Sequence, residues 1–279
     1  MEELEEAADA IAQATALLIT AGAGMGVDSG LPDFRGNAGF WKAYPPYKRL
    51  GMSFVDMAEP SLFKTNRNLA WGFYGHRRNL YRETQPHEGF AILKEWAEKK
   101  RDGYFVVTSN VDNAFQKAGF DDERIAEIHG SIEFNQCCSE ITPAGPESVE
   151  VDMESMKATA PLPKCPKCGK VTRPNIMMFG DPYWNGNRTH RQLNRFYEWI
   201  KKLKTVEAKL VVVECGAGIM IPSIRQISEE IGVDECGGRL VRINPNHPDC
   251  HHTQIELEMG ALKALKGIKE ATENTGPIV

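Results

Sequence analysis

A glycine-rich segment directly after an apolar run constrains the fold of this chain more than any other feature. Residues 16–20, Ala-Leu-Leu-Ile-Thr, have the length and branching of a buried parallel strand, and residues 22–36 contain five glycines. A glycine-rich turn between a strand and a helix presents backbone N–H groups to a pyrophosphate. Gly22 and Gly24 fit the first two positions of the standard dinucleotide fingerprint, but Val27 stands at the third. The segment therefore predicts a phosphate-binding loop.

Short apolar segments farther along the chain predict more strands. Residues 2–15 form an alanine-rich helical pattern, and the candidate strands are residues 104–108, 125–128, 210–213 and 239–243, with helical stretches between several of them. Strands that alternate with helices form a parallel sheet covered on both faces, with ligands at the carboxyl ends of the strands. The sequence therefore predicts an α/β fold with a Rossmann-like parallel sheet and helices on both faces.

Two segments interrupt this alternation. Residues 37–86 contain aromatic-rich, helix-length pieces separated by prolines, which predicts a helical insertion. In residues 131–180 strands and helices no longer alternate. The polar stretch 141–163 within them is too poor in apolar side chains to form its own core, so we expect an additional stabilising element, or staple, close to it. We expect these two segments to make a smaller domain. The Rossmann-like domain should then consist of residues 1–36, 87–130 and 181–279.

Composition limits the partners and the compartment. The formal net charge is −5, the isoelectric point is about 5.9 and no run of five basic residues occurs, which argues against a nucleic-acid partner. The acidic N-terminus does not resemble a signal or transit peptide, and no apolar run approaches the roughly 18 residues of a membrane span. Seven cysteines with one Cys-x-x-Cys fit a reducing compartment and a possible metal site. We therefore expect a cytoplasmic protein.

The end of the glycine-rich segment is more specific than its glycines. Residues 30–35 read Gly-Leu-Pro-Asp-Phe-Arg, and the whole segment resembles the first signature of the sirtuins, the NAD-dependent protein deacylases. Gly26 stands where that signature usually has Ser. The resemblance implies NAD as cosubstrate and a catalytic role for Arg35. The residues that it implies as NAD contacts are Gly22, Ala23, Gly24, Asp33, Phe34 and Arg35.

A second polar cluster follows the second predicted strand. Residues 108–112 read Thr-Ser-Asn-Val-Asp, and Asn110 and Asp112 could either face one ligand pocket or form an ordinary helix cap. The segment resembles the second sirtuin signature, Thr-Gln-Asn-Ile-Asp, with Ser109 in place of the Gln. The resemblance implies that Asn110 and Asp112 act in catalysis and line the nicotinamide and ribose pocket, with Ser109 as a further NAD contact.

His129 ends the third predicted strand in the sequence Glu-Ile-His-Gly-Ser. A lone His at a strand end is more often structural, but a His at a ligand edge can act as a base near neutral pH. Sirtuins carry their catalytic His in this His-Gly-Ser setting. The resemblance implies that His129 deprotonates a ribose hydroxyl after the acyl oxygen has attacked the ribose and displaced nicotinamide.

Two later segments complete the match. Residues 211–218 stand where sirtuins have Gly-Thr-Ser, and Ile243-Asn244 matches the Ile-Asn that follows a strand near the adenosine. The resemblance implies further NAD contacts at Gly216, Ala217 and Asn244. The matches follow the order of the family from about residue 16 to residue 245.

A cysteine motif predicts a metal site. Cys165-Pro-Lys-Cys168 is a turn that can present two thiolates to one tetrahedral zinc ion. The family pattern places a second cysteine pair after the catalytic His, where this chain has Cys137, and the fourth ligand would be Cys138 or Glu140. Residues 131–180 are therefore expected to form a zinc-ribbon-like module, and a metal-free module is the alternative.

The segment behind this motif implies a peptide substrate. Residues 172–181 resemble the Leu-Arg-Pro to Phe-Gly-Glu segment of sirtuins, which offers a strand edge to an extended peptide. The resemblance implies an acyl-lysine protein or peptide as partner, with Phe179 and Gly180 among the residues that contact it.

Three residues are candidates for binding the acyl group. Tyr74 and Arg77 share a helix face, which ordinary packing would explain, but Ala58 sixteen residues before Tyr74 completes a pattern that resembles sirtuins with a preference for acidic acyl groups. An Arg with an assisting Tyr hydroxyl can bind a succinyl or malonyl carboxylate, and the small Ala leaves room for the longer chain.

The favoured function is an NAD-dependent lysine deacylase, of deacetylase or desuccinylase type, that transfers the acyl group to ADP-ribose. An NAD glycohydrolase or an ADP-ribosyltransferase would use the same pocket and remains open. A non-catalytic NAD-sensing module is a second alternative, although such a module has no use for a base at His129.

Overall fold

The computed structural model describes residues 2–33, 36–137, 140–250 and 254–274. Its α-helices are α1 (Glu2–Gln13), α2 (Gly36–Ala43), α3 (Pro45–Arg49), α4 (Phe54–Met57), α5 (Leu62–Thr65), α6 (Arg67–Glu83), α7 (Glu88–Glu98), α8 (Ala114–Lys117), α9 (Asn187–Thr205), α10 (Ser223–Gln226) and α11 (Ala261–Asn274). The 3-10 helices are Ala23–Ser29 and Asp122–Arg124, and a π-helix spans Ile227–Glu235.

The strands are β1 (Ala16–Ala21), β2 (Tyr104–Thr108), β3 (Ile125–Glu127), β4 (Gly130–Gln136), β5 (Ile141–Pro143), β6 (Val151–Asp152), β7 (Lys157–Ala158), β8 (Arg173–Ile176), β9 (Leu210–Cys215), β10 (Arg239–Ile243) and β11 (Ile255–Leu257). Six of them form one sheet in the order β11-β10-β9-β1-β2-β3, and every pair in it is parallel. The predicted fold class is therefore confirmed. The sequence prediction missed β11.

Helices cover both faces of this sheet. Alternate side chains of β1 point to opposite faces, as the pleat of a strand requires. Leu17 and Ile19 pack with α1, α7 and α11, whereas Ala16 and Leu18 pack with α9 and the π-helix. Because both faces are buried, β1 is apolar except for Thr20, whose hydroxyl is hydrogen-bonded to that of Ser228, and this apolar run made the strand recognisable in the sequence.

The polar stretch 141–163 is held by helix α6. The short hairpin of β6 and β7 crosses α6 where a Cβ at Gly72 would lie 2.0 Å from the carbonyl oxygen of Met156. Asn79 exchanges two hydrogen bonds with the backbone of Val149, of 2.8 and 3.2 Å. The stabilising element expected for this stretch is thus α6, a helix of the aromatic-rich segment. The proposed domain boundaries stay a prediction, although residues of both inserted segments share one hydrophobic core.

We call the two inserted segments, residues 37–86 and 131–180, the small module. Its strands form an antiparallel sheet in the order β5-β4-β8 as well as the hairpin of β6 and β7. Strand β4 begins directly after His129, so this sheet continues from the carboxyl edge of the large sheet. Among the described helices, none is long and apolar enough to cross a membrane.

Candidate functional site

The glycine-rich loop makes close backbone contact with the loop after β9. Gly22 N–H donates to the carbonyl of Cys215 and Gly24 N–H to that of Gly216, each at 3.0 Å. A Cβ at Gly24 would lie 2.7 Å from Gly216 Cα, and Gly216 itself has a φ of 63°. Ala23 is exposed at the start of the 3-10 helix, while Ala217 is buried. The predicted NAD contacts after β1 and after β9, which we call the cradle (Gly22, Ala23, Gly24, Gly216 and Ala217), are thus brought together, and side chains at the glycine positions would separate them.

Two residues that the sequence prediction did not include hold the cradle in place. His87 Nε2 lies 2.9 Å from the carbonyl oxygen of Met25 and so carries the proton, while Nδ1 accepts from Gly89 N–H at 3.0 Å. Burial lowers the pKa of His87, which favours this neutral form. Asp28 Oδ2 accepts from Leu262 N–H at 2.9 Å at the start of α11. No local spacing signals these contacts, because they join segments distant in sequence.

Asn110 lies beside the cradle. Its Nδ2 donates to the carbonyl oxygen of Gly22 at 2.9 Å, and its backbone N–H donates to Thr108 Oγ1 at 3.0 Å. Ser109 N–H donates to the carbonyl oxygen of Ala21 at 3.1 Å. The end of β2 therefore positions Asn110 against the glycine-rich loop.

Asp112 fits both interpretations of its sequence. Its Oδ1 accepts from the N–H of Ala114, the first residue of α8, at 2.9 Å, and its side chain lines a small cavity together with Gly26 and Tyr81. Burial raises the pKa of Asp112, with a further contribution from the charge of Glu127. The hydrogen bond to the start of α8 therefore does not remove Asp112 from the candidate site.

His129 is half-buried where the chain passes from β3 into the small module. Gly130 follows with a φ of 81°, and a Cβ there would lie 2.0 Å from the carbonyl oxygen of Asn175. Burial lowers the pKa of His129, while a hydrogen bond from the ring to the backbone of Ser109 opposes that shift. His129 is therefore neutral near pH 7, the state that a base requires.

Asn244 supports the cradle through hydrogen bonds to the neighbouring backbone. Its side chain is buried and donates from Nδ2 to the carbonyl oxygen of Ala217 at 2.8 Å. Its Oδ1 accepts from the backbone N–H groups of Asn246 and His247, both at 3.1 Å. Asn244 thus supports the loop after β9. Of the other predicted NAD contacts, Asp33 is half-buried, and Phe34 and Arg35 lie outside the described residues.

Three cysteines converge at one end of the small module. The sulfur atoms of Cys137, Cys165 and Cys168 all lie within 4.8 Å of one another. Gly169 N–H donates to the carbonyl oxygen of Cys165 at 2.9 Å, which closes the turn between the paired cysteines. Three thiolates so arranged fit a tetrahedral zinc ion. The carboxylate of Glu140 is paired with Lys167, and Cys138 lies outside the described residues.

Tyr74 and Arg77 lie together inside the aromatic core of the small module. Arg77 donates from Nε and Nη2 to the hydroxyl of Tyr81 at 3.0 and 2.7 Å, and its guanidinium carbon lies 5.7 Å from the centre of the Tyr74 ring. Burial raises the pKa of Tyr74 to about 12, so its hydroxyl keeps its proton. Tyr81 was not predicted, although its spacing of four residues from Arg77 was a usable signal.

Ala58 contacts the predicted peptide edge. Phe179 N–H donates to the carbonyl oxygen of Ala58 at 3.0 Å, and the rings of Phe179 and Phe54 are 6.1 Å apart. The Phe54 ring centre lies 5.9 Å from the guanidinium carbon of Arg77. Phe179 is partly exposed, and Gly180 adopts a φ of 56°. The predicted acyl and peptide residues therefore form one continuous region.

Fold and site together define a Rossmann-like α/β protein with a nucleotide cradle, and comparison with known proteins identifies its family. The sequence model of the Sir2 family matches residues 22–213. A Leptospira interrogans protein named NAD-dependent protein deacylase is 33% identical over 225 residues, 80% of this chain and 79% of that protein. An Aquifex aeolicus protein of the same name is 30% identical over 253 residues, 89% of this chain and 90% of that protein. The chain belongs to the Sir2 family.

Solved structures agree with this assignment. A Sir2 homolog in complex with NAD is similar with a TM-score of 0.68 at 25% identity, covering 97% of this chain and 94% of that chain. A mutant Sir2 homologue in complex with ADP-ribose gives a TM-score of 0.69 at 24% identity, covering 98% of both chains. The second likeness concerns the fold alone.

Proposed function

We propose that this chain is an NAD-dependent protein deacylase that removes acyl groups from lysine and transfers them to ADP-ribose. Its curated relatives carry the name NAD-dependent protein deacylase, and a Sir2 homolog was solved with NAD bound. The observation that carries the proposal is the meeting of His129, Asn110 and the glycine cradle at the carboxyl edge of β1, β2 and β3. A neutral base beside a pyrophosphate cradle suits chemistry on a ribose.

The proposed roles follow from the positions of the residues. NAD supplies the ribose that accepts the acyl group, and nicotinamide is its leaving group. Asn110, bonded to Gly22, fixes the cradle relative to the end of β2 and orients the ribose. His129 takes the proton of a ribose hydroxyl, which its neutral imidazole can do near pH 7. Asp112, with its raised pKa, borders the nicotinamide side.

We propose an acidic acyl group as the preferred substrate. The guanidinium of Arg77 is buried among aromatic rings and held by Tyr81, and its carbon lies 5.7 Å from the centre of the Tyr74 ring, whose hydroxyl is protonated. A sheltered guanidinium favours a carboxylate over a methyl group. The small side chain of Ala58 leaves space at the peptide edge for the longer succinyl or malonyl chain.

We further propose a structural zinc ion at Cys137, Cys165 and Cys168. A zinc ion would close the end of the module, whose remaining stretch is packed on α6. Glu140 is engaged by Lys167, so Cys138 is the better candidate for the fourth ligand. The two inserted segments, 37–86 and 131–180, are proposed to form one small domain beside the NAD-binding domain.

One incubation series tests the reaction. The protein is incubated with NAD alone and with NAD plus acetyl-lysine or succinyl-lysine peptide, and products are identified by mass spectrometry. We expect acylated ADP-ribose and free lysine peptide only when both substrates are present. Free ADP-ribose at the same rate without peptide would indicate a glycohydrolase, and ADP-ribose attached to protein would indicate a transferase.

Replacement of the base tests the assignment of His129. His129→Ala should abolish acyl transfer and leave calorimetric NAD affinity nearly unchanged, because the base acts after NAD is bound. His190→Ala, on the exposed face of α9, is the matched control and should keep full activity. Deacylation by His129→Ala close to the wild-type rate would remove this residue from the mechanism.

A further inference from the structure

A buried ion pair spans the segment that carries the proposed peptide edge. We name residues 177–181 the edge turn; Arg173 lies in β8, before it, and Asp181 ends it. Arg173 Nη1 donates to Asp181 Oδ1 at 3.0 Å, and Nη2 contacts Asp181 Oδ2. The side chain of Asp181 is 0% exposed and that of Arg173 is 12% exposed. Paired charge-assisted hydrogen bonds with so little solvent access fix geometry closely.

The same pair also binds the backbone at the start of the edge turn. Arg173 Nη2 donates to the carbonyl oxygen of Ile176 at 2.8 Å, and Met178 N–H donates to Asp181 Oδ2 at 3.4 Å. Gly180 has a positive φ, and no atom of the described residues beyond its chain neighbours lies within 4 Å of the place where a Cβ would be. The ion pair therefore helps to hold the turn through the backbone of Ile176 and Met178.

The edge turn touches both the proposed base and the proposed acyl pocket. Met177 N–H donates to the carbonyl oxygen of His129 at 2.9 Å, and Phe179 N–H donates to that of Ala58 at 3.0 Å. Any displacement of the turn would thus change the position of the peptide relative to His129 and to the acyl pocket together.

We propose that Arg173 and Asp181 are positioning residues for the peptide substrate. They hold the edge turn so that an acyl-lysine peptide paired along it presents its acyl group to His129. This inference rests on the proposed function, because it assigns the edge turn to peptide binding. Within the described residues, neither side chain hydrogen-bonds to the cradle loops after β1 and β9, so ADP-ribose binding should not depend on the pair.

The test compares peptide kinetics with nucleotide affinity. Asp181→Asn should lower kcat/KM for the preferred acyl peptide by about tenfold to a hundredfold, mainly through a higher KM, because a charge-assisted contact is lost. Calorimetric ADP-ribose affinity should stay at the wild-type value. Asp181→Glu, which keeps the charge, should recover most of the loss. Equal losses of peptide kinetics and ADP-ribose affinity would overturn the proposal.

Glu133→Gln is the matched control within the same module. It breaks the ion pair of Glu133 with Arg82, which measures 2.6 Å and lies away from the edge turn. This variant should keep kcat/KM. If it loses as much peptide efficiency as Asp181→Asn, the effect is general loosening of the module and the positioning role is wrong.

Hydrogen exchange followed by mass spectrometry separates this inference from the proposed function. Asp181→Asn should speed amide exchange at residues 177–179, and an unchanged rate there would overturn the inference even in an inactive protein. If Asp181→Asn folds poorly, the double variant Arg173→Met with Asp181→Leu removes both charges, which proteins often tolerate. It should fold and still show the higher peptide KM. A wild-type protein inactive on every acyl peptide would refute the proposed function, while the exchange result would still decide whether the pair holds the turn.

Discussion

Replacing Arg77 by Met should change which acyl group the enzyme prefers. Arg77 is 6% exposed, and α6 places it one turn after Tyr74 on the same face. Met fills much of the same apolar space without a charge. The substitution therefore removes the proposed carboxylate partner and leaves the aromatic surroundings in place.

The expected change in kcat/KM follows from the burial of the guanidinium. A hydrogen bond to a charged group in such surroundings is worth about 1.5–3 kcal/mol, which corresponds to roughly tenfold to a hundredfold in kcat/KM. Acetyl-lysine has no carboxylate to gain this energy, and in the wild type its methyl group faces the charge. Arg77→Met should thus lower desuccinylation by that factor and spare or improve deacetylation.

The assay is kcat/KM on succinyl-lysine and acetyl-lysine forms of one peptide. Arg78→Met is the matched control, because Arg78 is also buried in α6 but donates to the carbonyl oxygen of Ile132 and to Asn135 Oδ1, at 2.9 and 2.6 Å. It should cost about 1–3 kcal/mol of stability without changing the ratio between the two substrates. Equal loss on both substrates in Arg77→Met would refute the reasoning, as would a wild-type preference for acetyl-lysine.

The metal site, the cradle and its support each give a prediction. Protein purified without added metal should carry about one zinc ion per chain by elemental analysis, and Cys165→Ser should lower this value; active wild-type protein with almost no zinc would mean that the module is metal-free. Gly216→Ala should lower calorimetric NAD affinity and cost at least about 2 kcal/mol of unfolding free energy, because the new Cβ would lie 2.4 Å from the backbone of Gly24 at a φ of 63°; wild-type values for both would contradict this. Because burial lowers the folded-state pKa of His87, its neutral form stabilises the protein above about pH 6.5, and that stability is lost as the pH falls through the folded-state pKa. Urea unfolding at about pH 7.5 and 5.5 should therefore show a larger loss for the wild type than for His87→Asn, and equal losses would remove His87 as the cause.

The large sheet was predictable because its central strands are buried on both faces and read as apolar runs. Strand β9 was predicted two residues short, since Glu214 looks like the end of a strand. In the structure Arg242 Nε donates to Glu214 Oε1 at 2.6 Å, so the carboxylate is buried without being unpaired. Strand β11 has three residues, of which Glu256 is exposed, and such a segment carries almost no periodic signal.

Some residues of the candidate site could be proposed from local sequence motifs, whereas others depend on tertiary contacts that a sequence does not show. His129 and Asn110 stand in short motifs at strand ends, so the sequence alone was enough to propose them as site residues. The supports of the cradle, such as His87, join residues that are far apart along the chain, so no spacing could reveal them. Asp112 shows why the two sequence interpretations could not be separated, because its carboxylate both accepts from the first N–H of α8 and borders the cavity.

Helix α6 contacts the hairpin of β6 and β7 on one face and carries the proposed acyl-binding residues on the other. Gly72 and Gly75 lie on the face that receives the hairpin, since a Cβ at Gly75 would come within 2.5 Å of Val149 Cγ1. Helical periodicity places Tyr74 and Arg77 on the opposite face. A side chain at Gly72 could be accommodated only by moving the helix or the hairpin, because the neighbouring atoms belong to backbone. The two glycines therefore set how deeply α6 sits in the module, and so where Arg77 lies relative to the peptide edge.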